Sequence, residues 1–425
     1  MAITTVPKLV KILIESRLLN SSQVEQLSQT QHQFPEPIGL ASDVVRRGWL
    51  TRYQIEQLGR GRPEDLFIGS YVLLEPVGEG GMGRVFRARH QRRGHIVALK
   101  VVRQERRGDA KAMRRFRREV KAVMRLDHPN LVMAIDAAEV GNQHYFAMEY
   151  VPGINLDLVM VRKGAIPLAP ACDYMRQAAL GLQHIFDRGL IHRDIKPSNL
   201  LIVPPERLEG DDSSGAVAAG EARFGRWGTL KILDLGLVLL PSYGNDSGTN
   251  LTKKGFALGT VEYVAPEQVM NPHEVDIRAD LYSLGCTLYE MLTGQTPFPN
   301  MGPVKTLLAH QTQTPTPVDQ LRPDLPTDLA AVVQKLLIKA PEKRYQRPAE
   351  VAQALGQIVA RLDSRRLSWD WSPPPVPKHE RGGKPPPREF VFSWNSKAAV
   401  YAGVIVLALV ALFLLVHFSS GGARP

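Results

Sequence analysis

Only two cysteines, Cys172 and Cys286, occur among the 425 residues. So few thiols exclude a disulfide framework and suit a reducing compartment, where both read as buried and structural. No apolar h-region or cleavage site opens the chain: MAITTVPKLV does not read as a secretory signal. The net charge of +11 does not gather into a nucleic-acid motif, so no nucleic acid is expected as a partner. Charge is missing altogether from one long stretch. Residues 398–418, AAVYAGVIVLALVALFLLVHF, are 21 residues without Asp, Glu, Lys or Arg. A bilayer core of about 30 Å needs roughly 20 apolar helical residues, so this stretch is expected to span one. Lys378, Arg381, Lys384, Arg388 and Lys397 precede it and Arg424 follows. The positive-inside rule then places everything before the span in the cytoplasm, as a single pass through the inner (plasma) membrane. Membrane lipid becomes an expected partner, with anionic head groups facing the basic juxtamembrane residues. Only residues 419–425 follow as a short external tail.

What is present divides the rest of the chain. Residues 1–62 read as a small all-α unit with an internal repeat at an offset of 31: Leu9, Leu19, Gln23, Glu25, Gln26 and Leu27 recur as Leu40, Leu50, Gln54, Glu56, Gln57 and Leu58. In each copy a cap residue, Asn20 or Thr51, opens the second helix. Two roles stay open for this unit, a cap on the next domain or a docking module. From Gly69 the pattern turns to alternating apolar residues with glycines, which reads as strands. Helical periodicity dominates from about 170 to 362. Residues 203–229 lack periodicity and read as a surface insertion. Residues 363–397 form a linker in which Pro373-Pro374-Pro375 and Pro385-Pro386-Pro387 favour an extended spacer. Trp394 is positioned to anchor at the membrane interface.

The chemistry concentrates in a few strings. Val77-Gly78-Glu79-Gly80-Gly81-Met82-Gly83-Arg84-Val85 fits GxGxxGxV, whose glycines let backbone amides approach phosphate oxygens. A dinucleotide-binding turn shares GxGxxG but leads into a helix, whereas Val85 to Arg89 alternates as a strand. Val97-Ala98-Leu99-Lys100 follows; a lysine turned inward from an apolar strand requires anionic partners. Glu119 lies in a helical, arginine-rich run, read either as that lysine's partner or as one more solvated charge. Farther on come Met148-Glu149-Tyr150-Val151, the loop His192-Arg193-Asp194-Ile195-Lys196-Pro197-Ser198-Asn199, Asp234-Leu235-Gly236, Ala265-Pro266-Glu267, and Asp280-Leu281-Tyr282-Ser283-Leu284-Gly285.

In this order the strings resemble the eukaryotic-like serine/threonine protein kinases, above all the bacterial membrane-anchored branch, over residues 69–362. The resemblance implies an α+β, bilobal protein kinase fold: a β-rich N-lobe, a helical C-lobe, and ATP with Mg2+ in the cleft. It assigns ATP contacts to Val77, Gly78, Gly80, Gly83, Val85, Ala98, Lys100 and Glu119. Met148 becomes the gatekeeper, with the backbone of Glu149 and Val151 on adenine, so that side-chain identity matters little at the hinge. By the same resemblance Asp194 accepts the proton of the attacking hydroxyl, Lys196 neutralises the γ-phosphate, and Asn199 and Asp234 hold magnesium. Leucine at 235, where the family carries phenylalanine, is expected to shift the balance of active and inactive states. Thr249, Thr252 and Thr260 are candidate regulatory positions, with phosphate at Thr252 ordering its loop through Arg193. Arg344 is expected to pair with Glu267. Implied partners are protein substrates bearing Ser or Thr. A homodimer through Ala398, Ala399, Ala402 and Gly403 is a further candidate. Three functions compete: an active kinase, a pseudokinase scaffold and a small-molecule phosphotransferase. Intact Lys100, Glu119, Asp194, Asn199 and Asp234 favour the first.

Overall fold

The computed structural model describes residues 5–80, 83–103, 122–140, 143–205, 227–233, 261–271 and 274–363. All fall in the first of two compact units, Met1–Trp371 and Ser372–Pro425. Among the described residues no helix is long and apolar enough to cross a membrane. The expected span 398–418, its tail and the linker beyond residue 363 lie outside them.

Four helices open the chain: α1 (Val6–Glu15), α2 (Ser21–Thr30), α3 (Pro37–Arg46) and α4 (Arg52–Gly59). The sequence repeat is a structural one. Leu9, Leu13 and Leu27 of the first copy and Leu40, Val44 and Leu58 of the second are all buried. Proline in the first turn of α1 and α3 costs no hydrogen bond there. Both α2 and α4 begin with reciprocal capping boxes, Asn20 with Gln23 and Thr51 with Gln54, which satisfy otherwise orphaned amides. The turn between paired helices uses a left-handed residue in each copy, Arg17 (φ 55°) and Gly48 (φ 70°).

A six-stranded antiparallel sheet follows. Its strands are β1 (Phe67–Ile68), β2 (Tyr71–Gly80), β3 (Gly83–His90), β4 (Ile96–Arg103), β5 (Ala134–Val140) and β6 (Gln143–Glu149), in the order β1-β2-β3-β4-β6-β5. Period-two alternation gives the central strands two distinct faces. Phe86, Leu99 and Ala147 are register partners on one face, which packs with the N-terminal helices in one apolar core. Val85, Lys100 and Phe146 are partners on the other.

The remaining elements are mostly helical: β7 (Ile154–Asn155), α5 (Leu156–Lys163), α6 (Leu168–Phe186), β8 (Leu200–Val203), β9 (Thr229–Ile232), α7 (Pro266–Met270), α8 (Ile277–Thr293), α9 (Pro303–Thr312), α10 (Val318–Leu321), α11 (Thr327–Leu336) and α12 (Pro348–Asp363). Helices α6 and α8 are buried on nearly every side and form the centre of a second core. At Gly285 of α8 an added Cβ would lie 2.7 Å from the Leu336 Cβ, so glycine permits the close approach of α11. Strands β8 and β9 pair as a hairpin, Leu200 opposite Ile232 and Val203 opposite Thr229. The insertion read from the sequence begins and ends at this hairpin's last register pair, Val203 and Thr229, and its residues 206–226 lie outside the described residues. Its return is fixed by Trp227, 2% exposed, and by Gly228, whose positive φ and contact with the Val203 carbonyl exclude a side chain.

Candidate active site

The loop between α6 and β8 carries the densest polar chemistry. His192 is fully buried, and its backbone N–H and that of Arg193 each donate to the Asp280 carboxylate at 2.7 Å. Asp280 comes from α8, so the loop is tied to the best-buried helix of the domain. Burial pushes the Asp280 carboxyl up, opposed by the charge of His192 and the two amides. Arg193 takes a left-handed conformation (φ 67°), and its carbonyl accepts from the Gln268 side chain at 3.0 Å. Strain at a non-glycine residue persists only where surrounding bonds hold it, and here three do.

This anchoring presents Asp194 at the mouth of the loop. Its Oδ2 accepts from Asn199 Nδ2 at 2.8 Å and pairs with Lys196 Nζ at 2.8 Å. Asn199 Nδ2 also donates to the Asp194 carbonyl at 2.8 Å, which fixes the amide with its oxygen at the opposite end. An amide oxygen left free of these bonds suits a hard divalent cation. Asp234 lies outside the described residues, but the chain leading to it is pinned to the same loop. Leu233 N–H donates to the Asn199 carbonyl at 2.8 Å, and His192 Nε2 contacts the Leu233 carbonyl at 2.8 Å. Asp194, Lys196, Asn199 and the approach to Asp234 are thus brought together.

The nucleotide-side residues come from the sheet. Lys100, 9% exposed, shares a face with Val85 on β3, its register partner. Ala98 and Met148 are register partners one step along that face, and Met148 is buried. Strands β2 and β3 join through the glycine-rich turn, where Gly80 pairs with Gly83 and Gly83 has φ 144°. A Cβ on Gly78 would meet nothing within 4 Å. Packing therefore does not require glycine there, and the open space fits the close approach of a phosphate group. Val77 is exposed beside it. Glu119 and Thr249, Thr252 and Thr260 lie outside the described residues.

At the hinge the structure departs from the sequence reading. The Glu149 side chain is engaged rather than incidental. Its Oε1 pairs with Lys231 Nζ at 2.7 Å and accepts from Met133 N–H at 3.0 Å, while its own N–H donates to the Met133 carbonyl at 2.9 Å. Lys231 Nζ also reaches the Leu131 carbonyl at 3.3 Å. The hinge is thereby tied to β9, the strand that leads to Asp234. Lys231, a cation alternating with apolar Leu230 and Ile232, was the available signal: such a residue on a half-buried strand needs an acid. The Val151 carbonyl accepts from Gly153 N–H at 2.9 Å.

Below the loop Arg344, buried, makes a bidentate pair with Glu267, at 2.6 and 2.9 Å, as the sequence led us to expect. It also caps the Arg278 and Lys339 carbonyls at 2.9 and 2.8 Å. Close by, His310 is fully buried between the Tyr282 hydroxyl (2.8 Å) and the Glu262 carbonyl (3.0 Å). Burial, with Lys339 nearby, pushes its pKa down to about 3. Lys339 itself is pushed down by burial to about 8.

A β-rich lobe with an inward lysine, facing a helical lobe with an Asp–Lys–Asn loop, defines a phosphoryl-transfer cleft. The family model described as protein kinase domain matches residues 71–356, and the chain belongs to that family. It is 34% identical to the serine/threonine-protein kinase pkn3 of Myxococcus xanthus, over 70% of this chain and 50% of that protein. It is 32% identical to PknB of Mycolicibacterium smegmatis, over 81% of this chain and 53% of that protein. The chain thus spans about half the length of these curated relatives. Among solved structures, the kinase domain of Mycobacterium tuberculosis PknI is 26% identical with a TM-score of 0.50, covering 68% of this chain and 97% of that one. Kinases of this family use ATP and Mg2+, and the open glycine turn and the oriented Asn199 amide fit both.

Proposed function

We propose that the chain is a serine/threonine protein kinase that transfers the γ-phosphate of ATP to protein hydroxyls. The observation that carries this reading is the Asp194 carboxylate, held by Asn199 and Lys196 on a loop bolted to Asp280. When bound, Mg-ATP supplies the transferable phosphoryl group and much of its charge neutralisation. Asp194 orients the incoming hydroxyl and takes its proton. Lys196, already beside that carboxylate, is placed to offset charge on the transferring group. Lys100 holds the nucleotide's phosphates from the sheet side. Asn199 and Asp234 are the metal-holding residues. The intact set speaks against a scaffold without catalysis. The Arg344–Glu267 pair supports a protein substrate over a small molecule, because it braces the helix that follows the expected substrate-docking segment.

The proposal extends to autophosphorylation at Thr249 or Thr252 and to a membrane-tethered signalling role at the inner membrane. The supports are the hydroxyls spaced before Ala265-Pro266-Glu267 and the uncharged run 398–418. The test is transfer of labelled phosphate from Mg-ATP by the full chain, beside Asp194→Asn. Label on Ser or Thr should fall by roughly a thousandfold or more in the variant, with ATP binding kept. Label that persists in Asp194→Asn, or nucleotide binding with no transfer to any protein acceptor, would overturn the reading.

A further inference from the structure

Strand β2 breaks register with β3 twice on its way to the glycine-rich turn, between Leu73 and Glu75 and between Pro76 and Gly78. A break of this kind takes backbone groups out of the ladder, and they must find partners elsewhere. At the first break the partners come from the N-terminal unit. Gln54 Nε2 donates to the Leu73 carbonyl at 2.8 Å, and Thr51 Oγ1 donates to the Leu74 carbonyl. Gln54 is 2% exposed, so its bond is shielded from water. The return strand is held by the same turn of α4: the Tyr53 ring lies 5.9 Å from Phe86 of β3. Phe86 is in turn the register partner of Pro76 and three residues past Gly83.

The repeat supplies an internal control. Asn20 and Gln23 form the same capping box in the first copy, yet among the described residues their side chains are bonded only to each other's backbone. Helix capping therefore does not demand contact with a sheet. The second copy differs where it meets the strands: Tyr53 stands where the first copy has Ser22. Gln54 is buried while Gln23 is half-exposed.

We propose that Thr51, Tyr53 and Gln54 are positioning residues for the nucleotide-binding hairpin, so that the N-terminal helices set the affinity for ATP. Helix α4 grips β2 and β3 from the face opposite Val85 and Lys100, only a few residues before Val77 and Gly78. A shift of α4 is carried to the glycine-rich turn through strands whose carbonyls it holds. The inference rests on reading the cleft as a kinase nucleotide site.

The test uses the full chain with Gln54→Ala and Tyr53→Ala, alongside Tyr53→Phe and Gln23→Ala. Binding of a fluorescent ATP analogue with Mg2+, the KM for ATP and kcat are measured at a temperature where each variant's melt shows it folded. The two disruptive variants should weaken nucleotide binding and raise KM about fivefold to tenfold, with kcat within about twofold. Tyr53→Phe and Gln23→Ala should match the parent. Hydrogen exchange in the nucleotide-free chain is the second readout, and it serves even if a variant is too unstable to assay. It should quicken over residues 71–90 in Gln54→Ala before global unfolding. Parent-like affinity in both disruptive variants, or exchange that rises no more in the hairpin than elsewhere, would overturn the proposal. A parent that binds nucleotide but transfers no phosphate overturns the kinase reading instead, and leaves the binding comparison standing.

Discussion

At the scale of single residues, the site depends on groups that are buried and therefore costly to leave alone. Glu149 and Lys231 are both mostly buried, at 27% and 19% side-chain exposure. Removing either partner strands a charge in a half-dry setting, whereas removing both does not. Glu149→Ala and Lys231→Met should each destabilise the chain by about 2 kcal/mol, with the double variant well short of additive. Urea unfolding of the four proteins measures the coupling; strict additivity would show that the pair does not link hinge to β9. His310 gives a pH dependence of definite sign. Its folded pKa is depressed to about 3, against about 6.5 in the unfolded chain. Its contribution is fully present above pH 6.5 and is lost as pH falls from there toward 3, because the unfolded state takes up the proton first. Between pH 7.5 and 5.5 the loss should be about 1.4 kcal/mol. The same pH series on His310→Gln, which keeps polar atoms against Tyr282 and Glu262, should lack that component. The site loop was legible in the sequence because its chemistry sets the spacing: Asp194, Lys196 and Asn199 lie within six consecutive residues. The Glu149–Lys231 pair was not, because 82 residues separate its partners and only the fold brings them together.

Elements show a similar division between local and distant causes. The capping residues Asn20 and Thr51 were readable because a cap is a local device, satisfied within three residues. The repeat likewise announces itself through its apolar spacing. What local pattern did not disclose is that Thr51 and Gln54 also bond the carbonyls of a bulged strand, since a bulge leaves no mark in alternation that a sequence shows plainly. Nor did it mark Trp227, which ends an aperiodic segment yet is buried in the second core. The repeat does make one conformational comparison possible. Arg17 holds φ 55° where the second copy has Gly48 at φ 70°. A side chain in the left-handed region costs about 1 kcal/mol, and among the described residues Arg17 forms no ion pair that its replacement would break, while its backbone N–H bonds the Ile14 carbonyl at 3.3 Å whatever the side chain. Arg17→Gly should therefore be neutral to stabilising, by up to about 1 kcal/mol after the added freedom of the unfolded chain is counted. Thermal unfolding checks it; clear destabilisation would mean that the Arg17 side chain contributes packing that outweighs the strain.

For the molecule as a whole, the two faces of the sheet's centre are covered differently. One face looks into the cleft, and the other is sealed by residues 5–59. Phe86, Ala88, Val97, Leu99, Val101 and Ala147 share a continuous core with Leu9, Leu13, Leu40, Val44 and Leu58. The sequence left the N-terminal unit open between a cap and a docking module. The shared core and the Gln54 and Thr51 bonds fasten it to the sheet, an arrangement compatible with either role. Releasing it from the sheet would expose a large apolar patch, which is costly in water. Each of the Phe, Leu and Val side chains in that core contributes about 1.5–3 kcal/mol when fully withdrawn from solvent. Deleting residues 1–62 should accordingly cost at least about 5 kcal/mol, lower the thermal midpoint and promote association through the uncovered face. The comparison is urea unfolding and light scattering of residues 63–425 against the full chain, in the same detergent. The reason to expect failure of the shortened chain is specific. Lys100 can face the cleft only while Leu99 and Val101, its neighbours on the strand, are buried on the opposite side. A truncated chain with full stability and undiminished nucleotide binding would mean that the sheet closes over its own apolar face, and that the helices are an addition rather than part of the lobe.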